Sequence, residues 1–223
     1  LTLPKEMEFA EGFKTIDPDG ISVARAFMQA QIAESLKDDF LRVYTHIRLD
    51  DYQVTQQDIA LRAMRNLCLT YLAYTNLGNK IVKKHYNNAN NMTDTLAALS
   101  VATKAALSCR DVLLADFEQK WQQDGLVMDK WFALQATRPD ENVLEIIQLL
   151  MDHPSFNFNN PNRLRSLVGS FANHNLKAFH NVSGSGYRFL TDVLIRLNES
   201  NPQVAARLID PLIRFSRLDA QGQ

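Results

Sequence analysis

Chemistry in this chain would have to come from few residues. Its five histidines are His46, His85, His153, His174 and His180. A zinc hydrolase built on a helix needs two histidines four apart on one face, with a glutamate after the first as general base: His-Glu-x-x-His. None of the five is followed by Glu. His174 and His180, the nearest pair, would lie about 240° apart around a continuous helix at ~100° per residue, so they cannot share a metal. All five read as ordinary surface or capping histidines. Ser183-Gly184-Ser185-Gly186 is glycine-rich, but a dinucleotide loop requires a preceding strand, and a turn that starts a helix near Tyr187 accounts for it. No Gly-x-Ser-x-Gly nucleophile elbow occurs. The acidic pairs Asp38-Asp39 and Asp140-Glu141 fall at helix ends, where solvation and the helix dipole explain them. The expected inventory is therefore no catalytic residue and no metal ligand.

Composition narrows the classes further. The 223 residues carry a net charge of -1 with 22% charged side chains, whereas nucleic-acid binders show a basic surplus. Lys80, Lys83, Lys84 and His85 form a small basic cluster that matches the negative end of a helix dipole. Cys68 and Cys109 each sit in an apolar helical pattern and read as buried free thiols of a reducing, cytoplasmic compartment. No apolar run approaches the roughly 18 residues that span a bilayer. Neither nucleic acid nor a membrane is expected as a partner.

The elements that would position any site are helices. There are 8 Gly and 7 Pro, fewer than average usage of about 7% and 5% would supply, which favours long elements with few turns. One apolar stripe runs through Ile21, Ala24, Phe27, Met28, Ile32 and Leu36 to Phe40 and Tyr44. A second comprises Ile59, Met64, Leu67, Cys68, Tyr71 and Leu72, behind a capping-box-like Thr55 and Asp58. Further helices are predicted near 77–86, from Thr93, and over 109–122, 126–136, 140–151, 161–172, 186–199 and 202–215. Asn160-Pro161 and Asn201-Pro202 each place a capping Asn before a Pro at the first helical position. Pro211 should kink the last helix by removing the bond to the Arg207 carbonyl. No strand pattern appears. The expected fold is all-α, an α-solenoid of stacked antiparallel helix pairs, armadillo- or HEAT-like, over a single domain 1–223. No fixed-period repeat is visible, so the repetition would be structural rather than lexical.

Two stretches carry a different kind of signal: Asp124-Gly125-Leu126-Val127-Met128-Asp129-Lys130-Trp131-Phe132 and Asn160-Pro161-Asn162-Arg163-Leu164-Arg165-Ser166-Leu167. Asn90 to Asp94, Leu96 to Ser100, Cys109-Arg110-Asp111, Gly184 to Tyr187 and Asn201 to Ala205 accompany them in order. Together, over nearly the whole chain, they resemble the C-terminal helical domain of the bacterial aminopeptidase N (alanyl aminopeptidase) family of zinc metallopeptidases. The resemblance implies a multidomain cytoplasmic exopeptidase that removes N-terminal residues from peptides, with one zinc in a thermolysin-like domain. Its helical domain closes over the active site and leaves a cavity that admits peptides. This chain would then be a non-catalytic part, inactive alone, with no cofactor of its own and zinc in the parent enzyme. Its partners would be peptide substrate and the catalytic and β-rich domains of the same parent chain. Both ends are expected to be cut points within that longer chain.

The resemblance also implies three site residues. Arg165, Gln203 and Arg207 match positions that face the peptide cavity on the leaving-peptide side. Gln203 and Arg207 are four apart and share a helical face. Arg165 lies off the stripe of Leu164, Leu167, Val168 and Phe171, and Gly169 is expected to keep its face open. Guanidinium forks suit peptide carbonyls and a C-terminal carboxylate. A competing reading pairs Arg207 with Asp210 or Asp192 as a tie between helices. The competing function is an independent α-solenoid that binds a protein or peptide in its groove.

Overall fold

The computed structural model describes residues 2–49, 51–213 and 217–218. They divide into two compact units: residues 2–3 with Arg25–Phe117, and Pro4–Ala24 with the described part of Glu118–Gln223. The elements are α1 (Glu6–Glu11), α2 (Pro18–Ser35), α3 (Lys37–His46), α4 (Gln56–Leu72), α5 (Gly78–Asn88), α6 (Met92–Lys104) and α7 (Arg110–Trp121). There follow α8 (Gly125–Ala136), α9 (Val143–Met151), α10 (Pro161–Leu164), a π-helical turn (Arg165–Gly169), α11 (Ser170–His174), α12 (Leu176–Phe179), α13 (Ser185–Ser200), α14 (Pro202–Leu208) and α15 (Asp210–Ile213). Among the described residues there is no strand, only an isolated bridge between Ile16 and Leu218.

In the first unit α3 packs on α4, and α4 and α5 pack on α6. The Phe40 ring stacks on Tyr71 with centroids 4.7 Å apart, over a core that includes Leu69, Leu72, Val82 and Leu99. Thr55 Oγ1 accepts from the Asp58 N–H, as its capping-box position predicts, whereas α6 is capped by Asn91, whose Oδ1 accepts from the Asp94 N–H, ahead of the expected start at Thr93. The two stripes need correction. Phe27 and Met28 of the first, and Ile59 and Met64 of the second, are exposed. The buried residues on their helices include Gln29 and Ala33 on α2 and Arg62 on α4. Polar side chains turn inward where they find partners. Arg25 Nη1 donates to Gln29 Oε1 at 3.1 Å, and Arg62 faces a buried carboxylate described below.

In the second unit the two most distinctive stretches meet. Asp124 caps α8 by accepting from the N–H groups of Leu126 and Val127. Asn160 caps α10 in the same way, with Pro161 at the first helical position. Buried Arg163 then joins the two segments. Its Nε donates to Asp129 Oδ1 at 2.6 Å, its Nη2 to the Gly125 carbonyl at 2.9 Å, and its Nη1 to the Ser155 carbonyl. Its guanidinium also lies 4.8 Å from the centroid of the Phe132 ring. Each of the three nitrogens of this buried guanidinium thereby donates, which offsets the cost of burying the charge. Trp131 and Phe132 are buried.

Two departures from the expected helices, and one expected turn, have local causes. The span 161–172 is helical but contains a π turn, in which the Ser170 N–H bonds back five residues to the Arg165 carbonyl. The span 202–215 breaks at Ile209, where Pro211 has no N–H to give the Arg207 carbonyl; its last residues lie outside those described. The glycine-rich segment is a turn for steric reasons. Gly184 adopts φ +67°, and a Cβ on Gly186 would fall 2.3 Å from the Phe179 carbonyl oxygen.

Candidate functional site

The residues matched to the peptide cavity all lie in the second unit. Arg165 opens the π turn and is exposed; its Nη1 donates to Asn162 Oδ1 at 3.2 Å. Gln203 and Arg207 are exposed, one turn apart on α14, whose start is capped by Asn201 accepting from the Val204 N–H. Among the described residues Arg207 forms no ion pair with Asp192 or Asp210, so the helix-tie alternative is not seen. Gly169 does not leave an open face: it is buried, and a Cβ there would lie 3.2 Å from Arg165 Cγ and 3.3 Å from Leu208 Cδ2. The stem of Arg165 and the end of α14 meet at this glycine. Apolar side chains such as Phe158, Leu164, Leu197 and Val204 line a cleft of about 260 Å³ together with Ser200 and Asn201.

A second polar constellation lies in the first unit and escaped the sequence reading. Asp94, at the start of α6, is buried and accepts from Asn66 Nδ2 at 2.9 Å and Asn91 Nδ2 at 3.0 Å. Arg62 Nε stands 3.9 Å from one of its oxygens and His85 Nε2 stands 4.0 Å from the other. Tyr44 bonds His85 Nδ1 at 2.9 Å, and the Arg65 guanidinium lies 5.1 Å from the centroid of the Tyr44 ring. Arg62 Nε, Arg65 Nε, Asn66 Oδ1 and His85 Nε2 have no hydrogen-bond partner among the described residues.

His85 therefore does not belong to a surface basic cluster with Lys80, Lys83 and Lys84. Burial, reinforced by the Arg65 charge and opposed by Asp94, pushes its imidazole from the ordinary 6.5 down to about 4. The folded state keeps His85 neutral where the unfolded chain protonates it. Stability should then fall as pH drops from about 6.5 to about 4 and level off below, by on the order of 3 kcal/mol. Denaturation midpoints across that range test this: His85→Gln should flatten the slope, and an unchanged slope would assign the effect to other groups.

The remaining histidines are equally local. His180 is buried and its Nδ1 bonds the Tyr187 hydroxyl at 2.7 Å, so it too is a core residue rather than a surface one. His153 bonds Glu118 through Nε2 at 2.9 Å and accepts the Ser155 N–H at Nδ1. Among the described residues no three His, Cys, Asp or Glu side chains gather in a way that could hold a metal ion. The donors present form single His–carboxylate pairs, at His153–Glu118 and His85–Asp94, and do not fit a zinc site. Cys68 is buried and Cys109 half-buried, both as free thiols. No described helix is long and apolar enough to cross a membrane.

Packed consecutive helices with no strand among the described residues define an all-α helical-repeat domain. The chain belongs to the family described as "Domain of unknown function (DUF3458_C) ARM repeats", which it matches over residues 1–223. It is 94% identical over 223 residues to Aminopeptidase N of Haemophilus influenzae, covering 100% of this chain and 26% of that protein. It is 51% identical over 225 residues to Aminopeptidase N of Escherichia coli, again covering 100% of this chain and 26% of that protein. Among solved structures, Legionella pneumophila aminopeptidase A in complex with aspartic acid superposes with a TM-score of 0.88 at 29% identity, over 100% of this chain and 27% of that one. The chain thus spans about a quarter of the length of these relatives.

Proposed function

We propose that this chain is the C-terminal, non-catalytic domain of a cytoplasmic zinc aminopeptidase, with residues 1–223 working as one helical domain that covers the active site and shapes peptide access. The observation that carries the reading is the 94% identity, over all 223 residues, to a part of an aminopeptidase N. The parent would remove N-terminal residues from peptides, with zinc held by its catalytic domain. Catalytic and β-rich domains of the same chain would be this domain's partners. Exposed apolar side chains such as Phe27, Met28, Ile59 and Leu149 are of the kind such contacts cover. Arg165, Gln203 and Arg207 would hold the departing portion of the peptide, since guanidinium forks and an amide match carbonyl and carboxylate oxygens.

The purified chain is expected to hydrolyse no amino-acyl reporter and to retain no stoichiometric zinc after dialysis. Chelator-sensitive hydrolysis, or one tightly held zinc per chain, would overturn the reading. Tight binding of a peptide by the chain alone would favour an independent interaction module instead.

A further inference from the structure

Arg165 is the one candidate peptide contact that stands on irregular backbone. The residues from Pro161 to His174 form contiguous helical segments, and Arg165 begins the π turn within them. A π turn opens the hydrogen-bond ladder by one residue, which re-aims the side chains it carries and occurs often at functional sites. Gly169 sits at its end, buried against Arg165 Cγ and Leu208 Cδ2 with no room to spare for a methyl group. The glycine lets the aliphatic stem of Arg165 lie across it beside α14, the helix that bears Gln203 and Arg207. At the other end of the side chain, Arg165 Nη1 donates a hydrogen bond to Asn162 Oδ1 at 3.2 Å. One contact sets the stem and the other sets the guanidinium.

We infer that Gly169 and Asn162 are positioning residues for Arg165, the first seating its stem beside the end of α14 and the second holding its guanidinium, so that it grips peptide together with Gln203 and Arg207. The inference rests on the reading of those three residues as peptide contacts. An exposed arginine loses much rotamer freedom when it grips a ligand, and a side chain already held in place loses less. The gain should therefore appear in binding of the longer substrate and leave the chemical step untouched.

The test uses the full-length parent enzyme with Gly169→Ala, Asn162→Ala, Arg165→Ala and the Gly169→Ala/Arg165→Ala pair. Each is assayed on a peptide several residues long and on a short amino-acyl reporter. Each positioning variant is expected to raise KM for the peptide by about 3- to 10-fold, with kcat and both reporter constants unchanged. In the Arg165→Ala background, Gly169→Ala should add less than about 1.5-fold, because its effect passes through the arginine. If Gly169→Ala keeps its full effect there, or if reporter and peptide shift together, the glycine acts by packing against Leu208 and the inference is overturned. If Arg165→Ala weakens peptide binding while neither positioning variant does, the inference fails and the peptide-contact reading stands. If Arg165→Ala itself changes nothing, both fail. Asn162 is exposed, so its variant keeps the test open should Gly169→Ala impair folding.

Discussion

Replacing Asp94 by alanine is expected to destabilise the unit that contains it by about 3–5 kcal/mol, the usual consequence of removing one partner of a buried ion pair. Asp94 is the carboxylate between Arg62 at 3.9 Å and His85 at 4.0 Å, and both of those side chains are almost fully buried. Without it, the Arg62 charge has no counter-charge at the position its Nε faces. Two amide donors, from Asn66 and Asn91, lose their acceptor as well. The loss should shrink when the charge goes too: Arg62→Met with Asp94→Leu should lie close to wild type, because paired apolar replacement of buried ions is often neutral or stabilising. Chemical denaturation of the two single variants and the pair gives the answer. A cost below about 1 kcal/mol for Asp94→Ala would mean that Arg62 relaxes to solvent instead.

That cluster also shows where sequence reasoning stops. Arg62, Arg65 and Asn66 recur three and four apart on α4, which looks like a solvated helix face. What turns it inward is a partner supplied by α6, 28 residues further on from Asn66, and a histidine from α5. Such pairing over distance leaves no local periodic trace, so the apolar spacing points Ile59 and Met64 inward while the structure exposes them and buries Arg62. Helix starts are legible where their chemistry is local: Thr55, Asn160 and Asn201 each bond an N–H two or three residues ahead. The break ahead of Pro211 follows equally from a missing donor. The π turn could not be seen, since Leu164, Arg165 and Ser170 at its ends have ordinary helical angles and only the bonding register differs. For the candidate site, helical spacing established that Gln203 and Arg207 share a face. It misjudged Gly169, whose small size admits Leu208 and the stem of Arg165 instead of clearing a surface.

Arg207→Ala in the intact parent should give the largest change in activity among the three candidate contacts. Arg207 is exposed on α14 and, among the described residues, forms no ion pair with Asp192 or Asp210, so no such bond must break before it meets a ligand. A guanidinium bonding a peptide carbonyl or C-terminal carboxylate contributes about 1.5–3 kcal/mol, which corresponds to roughly 10- to 150-fold in kcat/KM. The loss should fall on peptides long enough to reach α14. A short amino-acyl reporter has no such portion and should be cleaved as before, because the scissile bond and the zinc belong to another domain in the proposed arrangement. Substitution by lysine should recover only part of the loss, since an ammonium keeps the charge but not the planar two-point fork. Raising the salt concentration should narrow the gap between wild type and Arg207→Ala, since exposed charges are screened over about 8–10 Å. An equal loss on reporter and long peptide would show that Arg207 acts through domain stability or the catalytic centre, and the assignment of α14 to peptide binding would fall.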